Sequence, residues 1–193
     1  MPQWPLQLRR AALDHLDDIV RLFDEAASWL RSKNTDQWAR PWPNRASRDS
    51  RILASLQEGK CWIGWDRGIA AATITADPDE DPYWSGSRPT EPAVYIHRLI
   101  VGRAYAGAGL GAALIDWAGR TARHEYGSRW IRLSAWTTND RLHAYYLKQG
   151  FSLCGFHADD GYPSAARFQK RAALARRSGS GLFIAPDRLG RYC

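Results

Sequence analysis

The chain has 193 residues, 45% of them hydrophobic, and a formal net charge of +7. This length and apolar content predict one compact domain, and no run approaches the roughly 18 consecutive apolar residues that a membrane span requires. The charge favours anionic partners, but the 23 Arg and four Lys are scattered in short doublets such as Arg9-Arg10 and Arg176-Arg177, so no nucleic-acid stripe is visible.

Residues 6–9 read as a first strand. From 14 to 30 apolar residues recur at helical spacing (Leu16, Ile19, Val20, Phe23, Ala27, Leu30), behind an acidic first turn that suits the helix dipole. A Pro-, Asn- and Trp-rich loop over 33–47 precedes a second helix over 49–57, which Gly59 stops. Strands at 61–65 and 69–75 flank the turn Asp66-Arg67-Gly68, and the acidic stretch 77–92 is a loop. The β-rich run 94–101 has the pattern of a central strand. A helix over 111–126, a strand over 130–137, a helix over 140–149 and strands over 151–157 and 163–169 complete the order. That order predicts an α/β (α+β) fold with a mixed, mostly antiparallel sheet flanked by helices. The domain is expected over 1–171. Residues 172–193 form a C-terminal extension of linker composition, in which Leu182-Phe183-Ile184 is apolar enough to dock as a short strand.

The segment Val101-Gly102-Arg103-Ala104-Tyr105-Ala106-Gly107-Ala108-Gly109-Leu110-Gly111 joins the central strand to the long helix. Glycines let successive backbone N–H groups converge at a helix N-terminus, which makes an anion site. Further on, Asn139, Leu142, Tyr146, Gly150 and Phe151 follow at a set distance with a strand between. Together these two motifs resemble the GNAT superfamily of N-acetyltransferases. The likeness covers about residues 6 to 170. It implies acetyl-CoA as cosubstrate, with Leu99, Ile100, Val101, Ala106, Gly107, Ala108, Gly109, Leu110, Gly111 and Asn139 on the cofactor side. Ala106 stands where the family usually has Gln or Arg. Backbone amides still form the pyrophosphate nest, and Arg103 is a candidate for the missing charge. Asn139 also reads as the N-cap of its helix.

An alkyl ammonium with a pKa near 10.4 must lose a proton before it attacks a thioester. The resemblance implies direct attack in a ternary complex, amides of a bulged, splayed central strand polarising the carbonyl, and Tyr146 protonating the leaving thiolate. His97 is the candidate base, since an imidazole near pKa 6.5 accepts a proton directly or through water. Glu91, Asp77, Asp79, Glu80 and Asp81 are alternatives. Trp29, Trp38, Trp42, Trp84 and Tyr95 are expected on the acceptor side, where aromatic walls suit an apolar amine. Cys61, Cys154 and Cys193 are odd in number and lack a Cys-x-x-Cys pair, so reduced thiols, no metal site and a cytoplasmic setting are expected. A small-molecule amine is the expected acceptor, without nucleic acid or membrane as partner and with a homodimer left open. Peptide N-acetylation and non-catalytic acetyl-CoA binding are the competing readings.

Overall fold

Apolar stripes and strand alternation divide the chain into two cores on opposite faces of one sheet. A computed structural model describes residues 6–84, 91–157, 161–172 and 182–184. The strands are β1 (Leu6–Arg10), β2 (Cys61–Asp66), β3 (Ile69–Asp77), β4 (Ala93–Val101), β5 (Trp130–Ala135), β6 (Ser152–Phe156), β7 (Ala166–Arg171) and β8 (Leu182–Ile184). They form a single mixed sheet in the order β6-β7-β5-β4-β3-β2-β1-β8. Its pairs are antiparallel except β4 with β5 and β1 with β8.

Helix α1 (Leu16–Arg31) buries Ile19, Leu22, Phe23, Ala27 and Leu30, the stripe its periodicity predicts. With Ile52 and Leu56 of α2 (Arg45–Gln57) it covers Cys61, Ile63, Ala70 and Ile100 on one sheet face. On the other face α3 (Leu110–His124) and Tyr146 of α4 (Asp140–Lys148) pack on Val94, Ile96, Ile131, Leu133 and Phe168. Helix α2 begins four residues before the expected start because Asn44 caps it, accepting the Ser47 amide at 2.9 Å. The β2–β3 turn has Arg67 at φ 47° and Gly68 at φ 85°, the left-handed pair of a two-residue hairpin loop. The apolar segment 182–184 does dock as a strand, parallel to β1; the remainder of the expected extension lies outside the described residues.

Two features of β4 position the site. It pairs with β5 only from Ala93 to Tyr95, although β4 runs on to Val101 and β5 to Ala135, so the two parallel strands part beyond Tyr95. Against β3, Thr75 faces His97 and Thr73 faces Ile100, which leaves one extra residue on β4. That residue is Arg98, at φ 49°, left-handed for a side chain that rarely adopts it. The bulge shifts the alternation. Val94 and Ile96 face α3 before it, and Leu99 and Val101 do so after it, while His97 and Arg98 both point to the α2 side.

Candidate active site

The turn after β4 has the geometry its glycines predict. Gly107 and Gly109 lie at φ 81° and 76°, and Gly109 is the left-handed N-cap of α3. The amides of Gly107, Ala108 and Gly109 donate to no acceptor among the described residues, so the turn presents N–H groups at the positive end of a helix. Ala106 continues the preceding 3-10 turn, its backbone N–H donating to the Arg103 carbonyl at 3.2 Å. The Arg103 guanidinium lies 3.9 Å over the Trp29 ring.

Two cavities open along the parted strands. The first, of about 780 Å³, is lined by Trp29, Ile100, Val101, Arg103, Asn139 and Tyr145, next to the glycine turn. The second, of about 550 Å³, lies on the α2 side of the bulge. Gln37, Trp38, Leu99 and Leu142 line both, so the cavities meet there. A polar strap holds the junction: Asp36 accepts from Trp136 Nε1 at 3.0 Å and from Thr138 Oγ1 at 2.5 Å, and Asn139 Nδ2 donates to Gln37. Asn139 is at the same time the N-cap of α4, its Oδ1 accepting the Leu142 amide at 3.0 Å. The Thr138 bond holds the Asp36 carboxyl below its usual pKa.

The second cavity contains His97, Arg98, Asp77, Asp81 and Tyr146. Tyr146 packs against Phe151 and Phe168, and burial raises its pKa. The raised pKa keeps it protonated at neutral pH as a weaker acid than a free phenol, and its hydroxyl bonds to no described residue. Burial, reinforced by the Arg98 charge, pulls the His97 conjugate acid down to about 4. The imidazole is therefore neutral at pH 7, but it is a weaker base than its free value of 6.5 implies. Burial acts oppositely on Asp81, which is 7% exposed, and raises its pKa.

The aromatic expectations divide. Trp38 stacks on Phe23 at 4.2 Å and lines both cavities, and Trp42 lines the second. Trp29 lines the first cavity, on the glycine-turn side. Trp84 and Tyr95 line neither cavity: with Ala93 they form a separate buried cluster. There Trp84 donates to Ser134 at 3.2 Å, and the Arg132 guanidinium lies 5.1 Å over its ring. A Trp in an acidic loop has the same composition whether it lines a pocket or plugs a core. Glu91 is bound to Trp130 Nε1 and lies outside both cavities. Sequence reasoning missed Arg48, Arg51 and Arg98 as cavity residues, along with Tyr83 and Tyr162, whose rings stack at 3.6 Å. It also missed Tyr145, the neighbour of Tyr146, which faces the first cavity. Among the described residues no cluster could hold a metal ion, and no helix is long and apolar enough to cross a membrane.

Parallel strands that part beside a turn of free amides, with two cavities meeting along the gap, are a framework that suits an acyl-transferring enzyme. The acetyltransferase (GNAT) family model matches residues 23–151, and the chain belongs to that family, whose members use acetyl-CoA. It is 31% identical over 151 residues to the uncharacterized N-acetyltransferase YesJ of Bacillus subtilis (strain 168), covering 77% of this chain and 82% of that one. A GNAT-family acetyltransferase from Listeria monocytogenes 4b F2365 has the same fold, with a TM-score of 0.69 at 22% identity over 86% of this chain and 94% of that one. The PaiA N-acetyltransferase of Thermoplasma acidophilum, solved with coenzyme A, gives 0.64 at 14% identity over 86% and 98%.

Proposed function

We propose that the chain acetylates an amine of a small molecule, the amine attacking acetyl-CoA directly in a ternary complex. The junction of the two cavities at Leu99 and Leu142 carries this reading, because it brings a donor-sized cleft and an acceptor-sized cavity to one point beside Tyr146. A volume of about 550 Å³ is in the range of small-molecule sites.

The residues present fit acetyl-CoA. The unpartnered amides of Gly107, Ala108 and Gly109 would hold its pyrophosphate, with Ala106, Leu110 and Gly111 completing the turn and Arg103 adding charge. The freed edge of β4 over Leu99, Ile100 and Val101, with Asn139 opposite, would hold the acyl end. Bound there, acetyl-CoA supplies an activated thioester. Backbone amides of the freed β4 edge would stabilise negative charge on the carbonyl oxygen. Neutral His97 is the group through which the ammonium proton would leave, by way of water, and Asp81 would attract the ammonium into the cavity. The Tyr146 hydroxyl would donate a proton to the departing thiolate.

Calorimetry and thermal unfolding with acetyl-CoA test the donor half. Acetyl-CoA at about a hundred times its Kd should stabilise the fold by about 2.7 kcal/mol. Gly109→Val should abolish the gain while leaving a folded protein. Nothing lies within 4 Å of an added Cβ, so the cost to folding is the left-handed φ of 76°, about 1–2 kcal/mol. No heat in the wild type, or unchanged affinity in Gly109→Val, would overturn the assignment. Thiol release over a panel of small amines and N-terminal peptides tests the acceptor half, and turnover of the peptides alone would refute it.

A further inference from the structure

We infer that the acceptor carries a carboxylate beside its amine, an amino acid with an apolar or aromatic side chain, and that Arg98 and Arg51 bind the carboxylate. The inference rests on acetyl transfer to a small-molecule amine and specifies the acceptor of that site.

It follows from the charges that line the acceptor cavity. Three are arginines, Arg48, Arg51 and Arg98, and three are carboxylates, Glu58, Asp77 and Asp81. Three of the six already have ion-pair partners outside the cavity. Lys60 is shared among Glu58 at 2.7 Å, Asp77 at 2.8 Å and Asp79 at 2.5 Å, and Asp24 and Asp49 pair with Arg48 at 2.6 and 2.7 Å. Two cations and one anion are left without an ion pair among the described residues: Arg51, Arg98 and Asp81.

Arg98 is the unusual one. Its guanidinium is held by uncharged groups, Nε donating to Thr75 Oγ1 at 3.3 Å and Nη2 to Ser55 Oγ at 2.6 Å, with the Cys61 thiol beside it. Its Nη1 donates to no described residue. Burial pushes its pKa down, but a guanidinium does not deprotonate near neutrality, so the charge stays; Asp77 acts on it only from beyond ion-pair distance. The bulge at φ 49° spends backbone strain to set this side chain beside His97 on the cavity wall. One turn of α2 places Arg51 on the same side as Arg48 and Ser55, its guanidinium 5.6 Å from the Trp42 ring. Arg51 and Arg98 repel each other across the cavity, and an anion between them would relieve both. A planar carboxylate suits the guanidinium fork. Asp81, whose side chain accepts the Tyr83 amide at 2.9 Å, supplies a carboxylate without an ion pair among the described residues for an ammonium. The stacked Tyr83 and Tyr162 rings, with Trp42 5.3 Å from Tyr162, offer the apolar body of the ligand a wall.

The experiment compares L-phenylalanine, L-tryptophan, L-leucine and L-methionine with their methyl esters and their decarboxylated amines. Turnover is read as thiol release with acetyl-CoA, and binding to the CoA-saturated protein is read by calorimetry. The free acids should exceed the matched esters and amines by about 10²-fold or more in kcat/KM, since a site built for a charged group rejects the analogue that lacks it. Arg98→Gln should raise the KM of the best acid by about 10-fold or more and erase its preference over the amine, with acetyl-CoA affinity unchanged. Arg51→Gln, at an exposed helix position where the bond from Arg51 to the Trp42 carbonyl is lost, should weaken the same preference, with the fold checked by thermal unfolding. Esters or amines used as well as the acids, or an unaltered preference in both variants, would overturn the inference. Acetyl-CoA heat is measured in the same preparation, so failure of the transfer reading appears as lost cofactor binding. Failure of the carboxylate assignment appears instead as intact cofactor binding with no preference for the acids.

Discussion

The Tyr145 hydroxyl lies 2.6 Å from where a Cβ on Gly111 would stand. Gly111 is the second residue of α3 and Tyr145 lies on α4, so this approach joins the helix that follows the glycine turn to the one that carries Tyr146. The glycine is therefore there for space, unlike Gly107 and Gly109, whose left-handed backbone requires it.

The consequence is a substitution whose sign depends on its neighbour. Gly111→Ala should destabilise the protein by about 1–3 kcal/mol through overpacking, more than the roughly 0.5–1 kcal/mol that alanine gains in a helix. In a Tyr145→Phe background the clashing atom is gone and the next contact, Tyr145 Cζ at 3.6 Å, is ordinary. The same Gly111→Ala change should then be neutral or stabilising. Thermal unfolding of the four proteins gives the coupling directly. Equal effects in both backgrounds would show that the hydroxyl moves aside without cost.

His97 makes stability depend on pH. Its folded pKa of about 4 lies below the unfolded value near 6.5, so below pH 6.5 the unfolded chain binds a proton that the native protein excludes. The stabilisation is whole above pH 6.5 and is lost as pH falls towards 4, by about 3 kcal/mol at most. Asp81, with its pKa raised by burial, works in the opposite sense. In His97→Gln the melting temperature should fall less steeply than in the wild type between pH 6.5 and 4.5. Parallel curves would mean that the imidazole is solvated. The same displacement bears on catalysis: any acid limb that His97 gives kcat/KM should lie near pH 4 and not near 6.5.

What was legible in the sequence is what local chemistry determines. Gly107 and Gly109 stand where the chain must turn left-handed, Asn139 stands where a helix must be capped, and the α1 stripe repeats with the helical period. The strand order was legible in outline, because alternating runs and turns are local too. The insertion of β7 between β5 and β6 was not, since it depends on pairing between distant segments. Arg98 was illegible for a different reason. A bulge residue other than glycine leaves no compositional mark, and Arg98 meets Ser55 and Arg51 of α2 only through the tertiary fold. Trp84 and Tyr95 misled because aromatic residues serve cavity walls and cores alike, and only their packing with Ala93 separates the two. For His97 the residue type suggested a base of ordinary strength, and burial beside Arg98 changed that strength.

Tyr146 is the residue whose proposed role is most cleanly separable from its packing. Its ring is 8% exposed and sits among Tyr145, Phe151 and Phe168, at centroid distances of 5.5, 5.6 and 5.8 Å. Tyr146→Phe keeps every one of these contacts and removes only a hydroxyl that bonds to no described residue. The melting temperature should therefore hold or rise slightly, because no hydrogen bond is lost and a polar group leaves a buried site. If the hydroxyl protonates the leaving thiolate, kcat should fall by about 10²-fold or more, while acetyl-CoA affinity stays as it was. The loss should be smaller for an acyl donor whose thiol leaves more easily, since a better leaving group needs less help from an acid. That dependence separates a missing proton donor from a displaced acceptor, which would slow all donors alike. Wild-type kcat in a folded Tyr146→Phe protein would remove Tyr146 from the proton path.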